Sequence, residues 1–584
     1  MFKINKQFFR QIHIVLFTFS FVLVYFWESC WSQDAPIYDT KAIFHPVVAT
    51  QGLVSTQEKL ATQAGLEVLK EGGNAVDAAV TVGFVLAVTL PRAGNLGGGG
   101  FMLLHLTENN QNIAIDYREK APLAATKDMF LNQQGEVDSR KSRYSHLAVG
   151  VPGTVAGLNL ALEKYGTISL ARALKPAIEL AENGFIVTQD FYDSLLFAQK
   201  SLKNHPESEK IFLTDNGNPV KVGDLFIQTD LANSLKLISS QGKKAFYENK
   251  IADYIVAEMK NNDGIITKED LKKYAPVIRK PVEGKYKDYH IYSMPPPSSG
   301  GIHLIQMLNI LEPLNLEKWG HNSAKVIHFM AETMKLAYAD RSKYLGDSDF
   351  VPVPIKSLIS KDYAAKLRNK INVDKATPSQ DVLPGNLLNF QGSNDTTHYS
   401  VIDKDGNAVA NTYTLNFSYG SGITVPNTGI LLNNEMDDFV AKPDVANAFG
   451  LTGGEFNAIA PEKRMLSSMS PTIVMKDGEV FLVTGSPGGS RIITTVLQII
   501  INVINFQMNI AEATVAARFH HQWLPDNLYV EKEINQDTIN LLKNQGHEVV
   551  KTRAMGSTQT VMKIDNFFYG FSDPRSRESL TIGY

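Results

Sequence analysis

"NDTTHYSVIDKDGNAVANTYTLNF", Asn394 to Phe417, decides how this chain is read. An acidic residue, Asp395, precedes two threonines, and a strongly alternating run follows. "THYSVID" alternates as a strand, Lys404-Asp405-Gly406 has turn chemistry, and "NAVANTYTLNF" alternates again, so the segment predicts a β-hairpin. A turn centred on residues 404–406 pairs Thr396 with residue 413, 414 or 415, which brings Thr414 beside Thr396. Two threonines opening a strand are also what β propensity alone favours. An internal threonine is a weak nucleophile. One whose own α-amine is free has a local general base, acting directly or through water, and its hydroxyl can carry an acyl group. "VLPGNLLNFQGSND", 382–395, has loop composition, so a cut between Asp395 and Thr396 would present such a residue from a rigid sheet.

Working outward, "MLSSMSPTIV" puts Ser467 and Ser468 just before a predicted strand at 471–475, with another at 480–484. These hydroxyls read either as ligand-orienting groups or as turn residues. "GSPGGSRI" offers the N–H groups of Gly488 and Gly489 at the start of a helix predicted near Ser490, either an oxyanion nest or a plain turn. "LLNNEMDDF" supplies Glu435, Asp437 and Asp438 beside Asn433 and Asn434, carboxylates suited to a substrate ammonium. Metal binding is the rival reading, but the 13 histidines show no ligand-like spacing; "HHQW", 520–523, reads as structural.

In the N-terminal half, Ser55 and Glu58 have capping-box spacing ahead of a helix to about Lys70. Gly72-Gly73 ends that helix and Asn74 caps the next. "AVDAAVTVGFVLAVTL", 75–90, contains Asp77 and ends at Pro91, which suits a helix buried on most sides. "GNLGGGGFMLLHL", 94–106, reads as a glycine run entering a strand, with a hairpin partner in "QNIAIDYREKAP", 111–122, ending near Arg118. Helical patterns fill 151–280. A proline-rich connection, "YSMPPPSSGG", precedes predicted helices at 302–312 and 322–342. No internal repeat is evident.

The 584 residues are 44% hydrophobic, enough for two domain-sized bodies or one large composite core. A formal net charge of -3 gives no pull toward nucleic acid. Lys3, Lys6 and Arg10 precede the apolar run "IHIVLFTFSFVLVYFW", 12–27, which reads as a secretory signal cleaved near Cys30 to Gln33. The alternatives are a retained anchor, for which the run is short, and lipidation of Cys30, against which Trp27 and Glu28 stand. Cys30 is the one cysteine, so disulfides are excluded.

Taken together, "TTHYSVIDKDGNAVA", "LLNNEMDDF", "MLSSMSPTIV", "GSPGGSRI", "EGGNAVDAAV", "GNLGGGGFM", "DYREKAP" and "SDPRSRESLTIGY" resemble the gamma-glutamyltranspeptidase family of N-terminal-nucleophile hydrolases. The resemblance runs through essentially the whole chain after residue 33. It implies an α+β fold, a four-layer αββα sandwich built jointly by two chains from one precursor. The implied parts are a signal peptide or membrane segment at 1–33, a large subunit at 34–395 and a small catalytic subunit at 396–584. The family cleaves itself before the catalytic threonine, here between Asp395 and Thr396. Thr414 would be the second member of a threonine dyad, and Gly488 and Gly489 the oxyanion donors. Arg118, Ser467 and Ser468 would bind the donor's α-carboxylate. Asn416, Glu435 and Asp438 would hold its α-ammonium. Residues 440–464 match a lid-loop region, and Arg575 matches an arginine linked to maturation.

The implied activity is transfer or hydrolysis of the γ-glutamyl group of glutathione and related donors. Amino acids, dipeptides or water would be acceptors, without cofactor, metal or nucleic acid. The implied location is periplasmic or extracellular, or membrane-anchored through the N-terminus. A related amidohydrolase with another acyl donor, or a non-catalytic relative, would share the fold.

Overall fold

Thr396–Asp403 and Ala408–Thr414 form the predicted hairpin at the centre of a seven-stranded sheet, with Thr396 opposite Thr414 and Ile402 opposite Ala408. The structure is a computed structural model that describes residues 42–383, 396–442 and 445–584. The N-terminal apolar run, Asp395 and two residues of the 440–464 segment lie outside them. All elements named below belong to the unit Pro46–Tyr584.

The central sheet runs Leu580–Gly583, Gly52–Thr56, Thr396–Asp403, Ala408–Thr414, Gly99–Leu106, Gln111–Tyr117, Val277–Arg279, antiparallel throughout. Strands from both sides of position 396 therefore share one ladder. A second antiparallel seven-stranded sheet runs Val47–Ala49, Phe567–Ser572, Gln559–Ile564, Glu479–Thr484, Thr472–Lys476, Tyr289–Ser293, Val282–Tyr286.

The period-2 alternation of the central strands assigns their two faces. Tyr399, Val401, Val409, Tyr413, Met102 and Leu104 enter one core with the helices Lys59–Lys70, Ala75–Thr89 and Thr154–Tyr165. Ile402, Ala408, Ala410, Phe101 and Leu103 enter the other core. It also takes the second sheet and the helices Gly300–Leu311, Ala324–Tyr344 and Arg491–Ile504. The result is helix, sheet, sheet, helix, the αββα sandwich. Because both faces are buried, register is strongly specified: a one-residue slip would exchange the two cores.

The helix Ala75–Thr89 is buried at every residue. Its one charge, Asp77, accepts hydrogen bonds from Asn74 N, Thr167 N and Oγ1, and Ile168 N. Asn74 caps it as expected. The helix before it departs from expectation. Ser55 lies in the strand Gly52–Thr56, and Glu58 is itself the cap, its carboxylate accepting from Leu60 N and Ala61 N. The sheet's demand for one more pairing strand overrides the capping-box spacing. The hairpin's second strand also ends early, at Thr414, because Asn416 takes φ +78° and turns the chain out of the sheet. Among the described residues no helix is long and apolar enough to cross a membrane.

Candidate active site

Register explains the paired threonines. Thr396, His398, Ser400 and Ile402 face the second sheet, and Thr397 faces the helices across from Tyr413. Thr396 is thus the end of the row between the sheets, where the layer opens into a cleft. Its Oγ1 lies 3.4 Å from Thr414 Oγ1. Thr414 Oγ1 also accepts from Asn416 N at 2.8 Å, so the turn that ends the strand holds the second hydroxyl in place. His398, two residues along the same face, is committed to Thr412 and Ser400, and burial lowers its pKa to about 3, keeping it neutral.

The glycine run supports Thr414 from behind. Asn95 Nδ2 donates to Thr414 O at 2.9 Å, and Asn95 Oδ1 accepts from Gly98 N and Thr154 Oγ1. A Cβ on Gly98 would stand 2.1 Å from Thr414 O, so only glycine lets the two backbones approach this closely.

Across the cleft, the fully buried Arg118 guanidinium forks onto two carboxylates. Nη1 donates to Glu435 Oε1 and Nη2 to Asp438 Oδ2, the latter at 2.6 Å; Nε reaches Met465 O, and Glu119 Oε2 lies 3.6 Å from Nη1. Burial opposes the charge on Arg118, but Glu435, Glu119 and Asp438 together outweigh it and push its pKa up. The same burial raises Glu435 and Asp438 and lifts Glu119, whose carboxyl oxygens have no hydrogen-bond partner, to about 7. Glu435 sits in the pocket because Asn433 fixes its loop, bonding Gly97 O, Gly150 O and N, and Glu435 N.

Ser467 and Ser468 form the adjoining wall. Ser467 N donates to Pro297 O, Ser299 N and Oγ donate to Ser467 O, and Ser298 Oγ donates to Met469 O. The proline-rich connection is thus the backing of this wall. Gly489 lines the cleft at the N-terminus of the helix Arg491–Ile504, and Gly488 stands just before it, with φ of +54° and +135° respectively. Among the described residues neither N–H has an acceptor within the chain; Gly489 lines the cleft, whereas Gly488 is buried beside it. Phe449 and Leu451, from the 440–464 segment, close the cleft on another side.

The cleft therefore brings together Thr396, Thr414, Asn416, Arg118, Glu435, Asp438, Ser467, Ser468 and Gly489. Arg575 stands apart from it. It pairs with Glu531 and Asp573 and donates to Thr514 O and Ala516 O, a buried network shared with Arg518. Asp395 lies outside the described residues.

Several residues escaped the sequence reading. Arg341 lines the cleft, and its only signal was a charge at core spacing in the buried helix Ala324–Tyr344. Gln522, in the segment read as structural, accepts from Ser490 Oγ and donates to Phe449 O and Gly450 O, tying the glycine turn to the 440–464 segment. His328, Glu332 and His547 cluster with metal-ligand proximity despite unpromising spacing. His328 Nε2 donates to Asn372 O, which leaves Nδ1 to accept from His547 Nε2, and Lys335 Nζ neutralises Glu332 at 3.0 Å.

The sequence profile of the gamma-glutamyltranspeptidase family matches residues 61–582. The chain is 56% identical over 544 residues to an Escherichia coli protein named glutathione hydrolase proenzyme, covering 93% of each. Its fold superposes on a cephalosporin acylase from Bacillus halodurans with a TM-score of 0.83 at 26% identity, over 94% of this chain and 99% of that one. A crystallised Helicobacter pylori gamma-glutamyltranspeptidase chain matches at 48% identity and a TM-score of 0.56, over 60% of this chain and 97% of that one. The chain belongs to the gamma-glutamyltranspeptidase family.

Proposed function

We propose that this protein is a self-processing gamma-glutamyltransferase and glutathione hydrolase whose nucleophile is Thr396. The observation that carries the reading is one cleft holding a strand-initial threonine, a second threonine hydroxyl 3.4 Å away, and a guanidinium–carboxylate–serine wall.

In processing, Thr396 Oγ attacks the Asp395 carbonyl carbon, the peptide nitrogen leaves, and the acyl group passes from N to O. The hydroxyl proton passes to that nitrogen, so the shift itself frees the Thr396 α-amine; water then hydrolyses the ester, which releases the Asp395 carboxylate, restores the Thr396 hydroxyl and divides the chain into 34–395 and 396–584. The two parts stay together because the central sheet draws strands from both. The charge on Asp395 would tune the rate of this step rather than decide it.

In turnover, the α-amine takes the Thr396 hydroxyl proton as Oγ attacks the donor's γ-carbonyl. Thr414 Oγ1 holds the attacking hydroxyl. The N–H groups of Gly488 and Gly489 receive the oxyanion, and the helix N-terminus behind them favours negative charge. The leaving amine takes the proton back; from glutathione this is cysteinylglycine. The glutamyl end supplies both charges for the opposite wall. Its α-carboxylate goes to Arg118, Ser467 and Ser468, and its α-ammonium to Asn416, Glu435 and Asp438. That exchange replaces the Arg118 pairings of the free enzyme with ones of the same kind, which limits the desolvation cost. Water or the amine of an amino acid or dipeptide then releases the acyl group. The 440–464 segment restricts water access to the ester. Residues 1–33, with their basic start and apolar run, direct export.

The test is incubation of the processed protein with glutathione. Equimolar glutamate and cysteinylglycine are expected, with γ-glutamyl-glycylglycine appearing when glycylglycine is added. No release from glutathione, with hydrolysis of another acyl donor, would contradict the reading.

A further inference from the structure

The wall formed by Ser467 and Ser468 has a support behind it. Arg341 Nε donates to Ser299 Oγ at 3.0 Å, and Ser299 Oγ in turn donates to Ser467 O at 2.7 Å. Arg341 Nη2 donates to Ser468 Oγ at 3.3 Å. One guanidinium thus grips both serines, one by its backbone and one by its hydroxyl. Arg341 is buried and makes no ion pair among the described residues, whereas Arg118 has three carboxylates around it. Burial lowers the pKa of Arg341 to about 10, which leaves it cationic at neutral pH.

Hydroxyl bookkeeping gives this grip a direction. A serine hydroxyl has one hydrogen to give and two lone pairs. Ser468 Oγ accepts from Arg341, and Ser467 Oγ accepts from Met469 N at 3.1 Å. Among the described residues neither hydroxyl donates to the chain, so each hydrogen is left for the cleft. Two O–H donors beside a buried cation suit a group that only accepts, a carboxylate, and serve an ammonium poorly.

We propose that Arg341 is a positioning residue for the carboxylate of the donor: it fixes Ser467 and Ser468 with their hydrogens toward the ligand and adds a positive charge behind them that no ion pair among the described residues takes up. This rests on the reading of the cleft as the glutamyl site. It divides carboxylate recognition between Arg118, which the free enzyme keeps paired, and Arg341, which it does not.

The test uses the processed enzyme with γ-glutamyl-p-nitroanilide as reporter and three competitive inhibitors. L-Glutamate carries both charges, glutarate lacks the ammonium, and 4-aminobutyrate lacks the α-carboxylate. Arg341→Gln is expected to weaken glutamate and glutarate about tenfold, to leave 4-aminobutyrate within about twofold, and to raise KM more than it lowers kcat. In a Ser468→Ala background the same substitution is expected to have a smaller effect than in the wild type, because the part that passes through Ser468 is already lost. Equal weakening of all three inhibitors, or full multiplication of the two mutational effects, overturns the proposal.

Arg341→Lys keeps the charge without the two-point grip, and the same inhibitor ratio is read on it should Arg341→Gln fail to process. Wild-type affinity for glutamate in that variant also overturns the proposal. Failure of the glutamyl-site reading would show instead in the wild type, as absence of both reporter turnover and glutamate inhibition.

Discussion

Thr396 and Thr414 stand opposite each other in the central hairpin with their hydroxyl oxygens 3.4 Å apart, and Thr414 is itself held by Asn416 N. A contact of that length is a weak hydrogen bond in the uncut chain, and catalytic contacts commonly tighten only in the reacting state. Thr414→Ala is therefore expected to slow both self-cleavage and turnover by about 10²-fold, with Thr414→Ser far milder. A time course of fragment appearance on a denaturing gel, beside steady-state rates of the processed variants, checks this.

Gly98 makes a separate prediction about the same hydroxyl. A methyl group there meets Thr414 O at 2.1 Å and Asn95 Oδ1 at 2.6 Å. Gly98→Ala must push the end of the strand away and is expected to impair cleavage although it alters no reacting group. Normal processing with an unchanged melting temperature would show that the strand end yields freely.

Among the described residues Arg118 is the cation that pairs with Glu119, Glu435 and Asp438. Arg118→Gln strands buried carboxylates, a change that typically costs about 3–5 kcal/mol, so a large fall in melting temperature is expected together with loss of donor binding. Arg118→Lys keeps the charge but not the fork. It is expected to retain most of the stability while KM for the γ-glutamyl donor rises by about tenfold or more. Calorimetry and kinetics on the pair separate the two roles.

Glu119 predicts a pH dependence. Burial raises its pKa to about 7 in the folded protein from an ordinary value of 4.5. Between those values the folded state holds a proton that the unfolded state has released, so stability falls as pH rises through this window and levels off above about 7. The full effect is of order 3 kcal/mol or less. Glu119→Gln removes that slope. Its stability relative to wild type is expected to improve from pH 5 to pH 8, as read from denaturation midpoints at the two pH values.

The hairpin was legible because its signal is local. A turn with Gly406 between two alternating runs narrows the partner of Thr396 to residues 413–415, and the folded ladder selects Thr414. The buried helix at 75–89 and the strands at 472–476 and 479–484 were legible for the same reason. Ser55 was misread because a capping-box spacing and a strand compete for the same residues, and a sheet edge formed by Leu580–Gly583, far away in sequence, settles the contest. The family resemblance supplied the αββα layering and the expectation that Arg118 meets a donor carboxylate, which no local pattern carries, whereas the acidic run at 435–438 by itself suggested an ammonium partner. Arg341, Asn95 and Gln522 were missed because each acts through contacts with distant segments, Ser299 and Ser468, Thr414, and Phe449 respectively. The free enzyme's pairing of Arg118 with the carboxylates assigned to the ammonium is likewise a property of the folded cleft alone.

The central claim is that Thr396 becomes an N-terminus. Intact mass under denaturing conditions, with the Thr396→Ala variant alongside, tests it most directly. The account predicts two fragments from the wild type, the smaller spanning 396–584 and beginning with Thr396, and one uncut chain from the variant. A wild-type chain that stays whole after prolonged incubation, or a variant that is cut at the same bond, would contradict it.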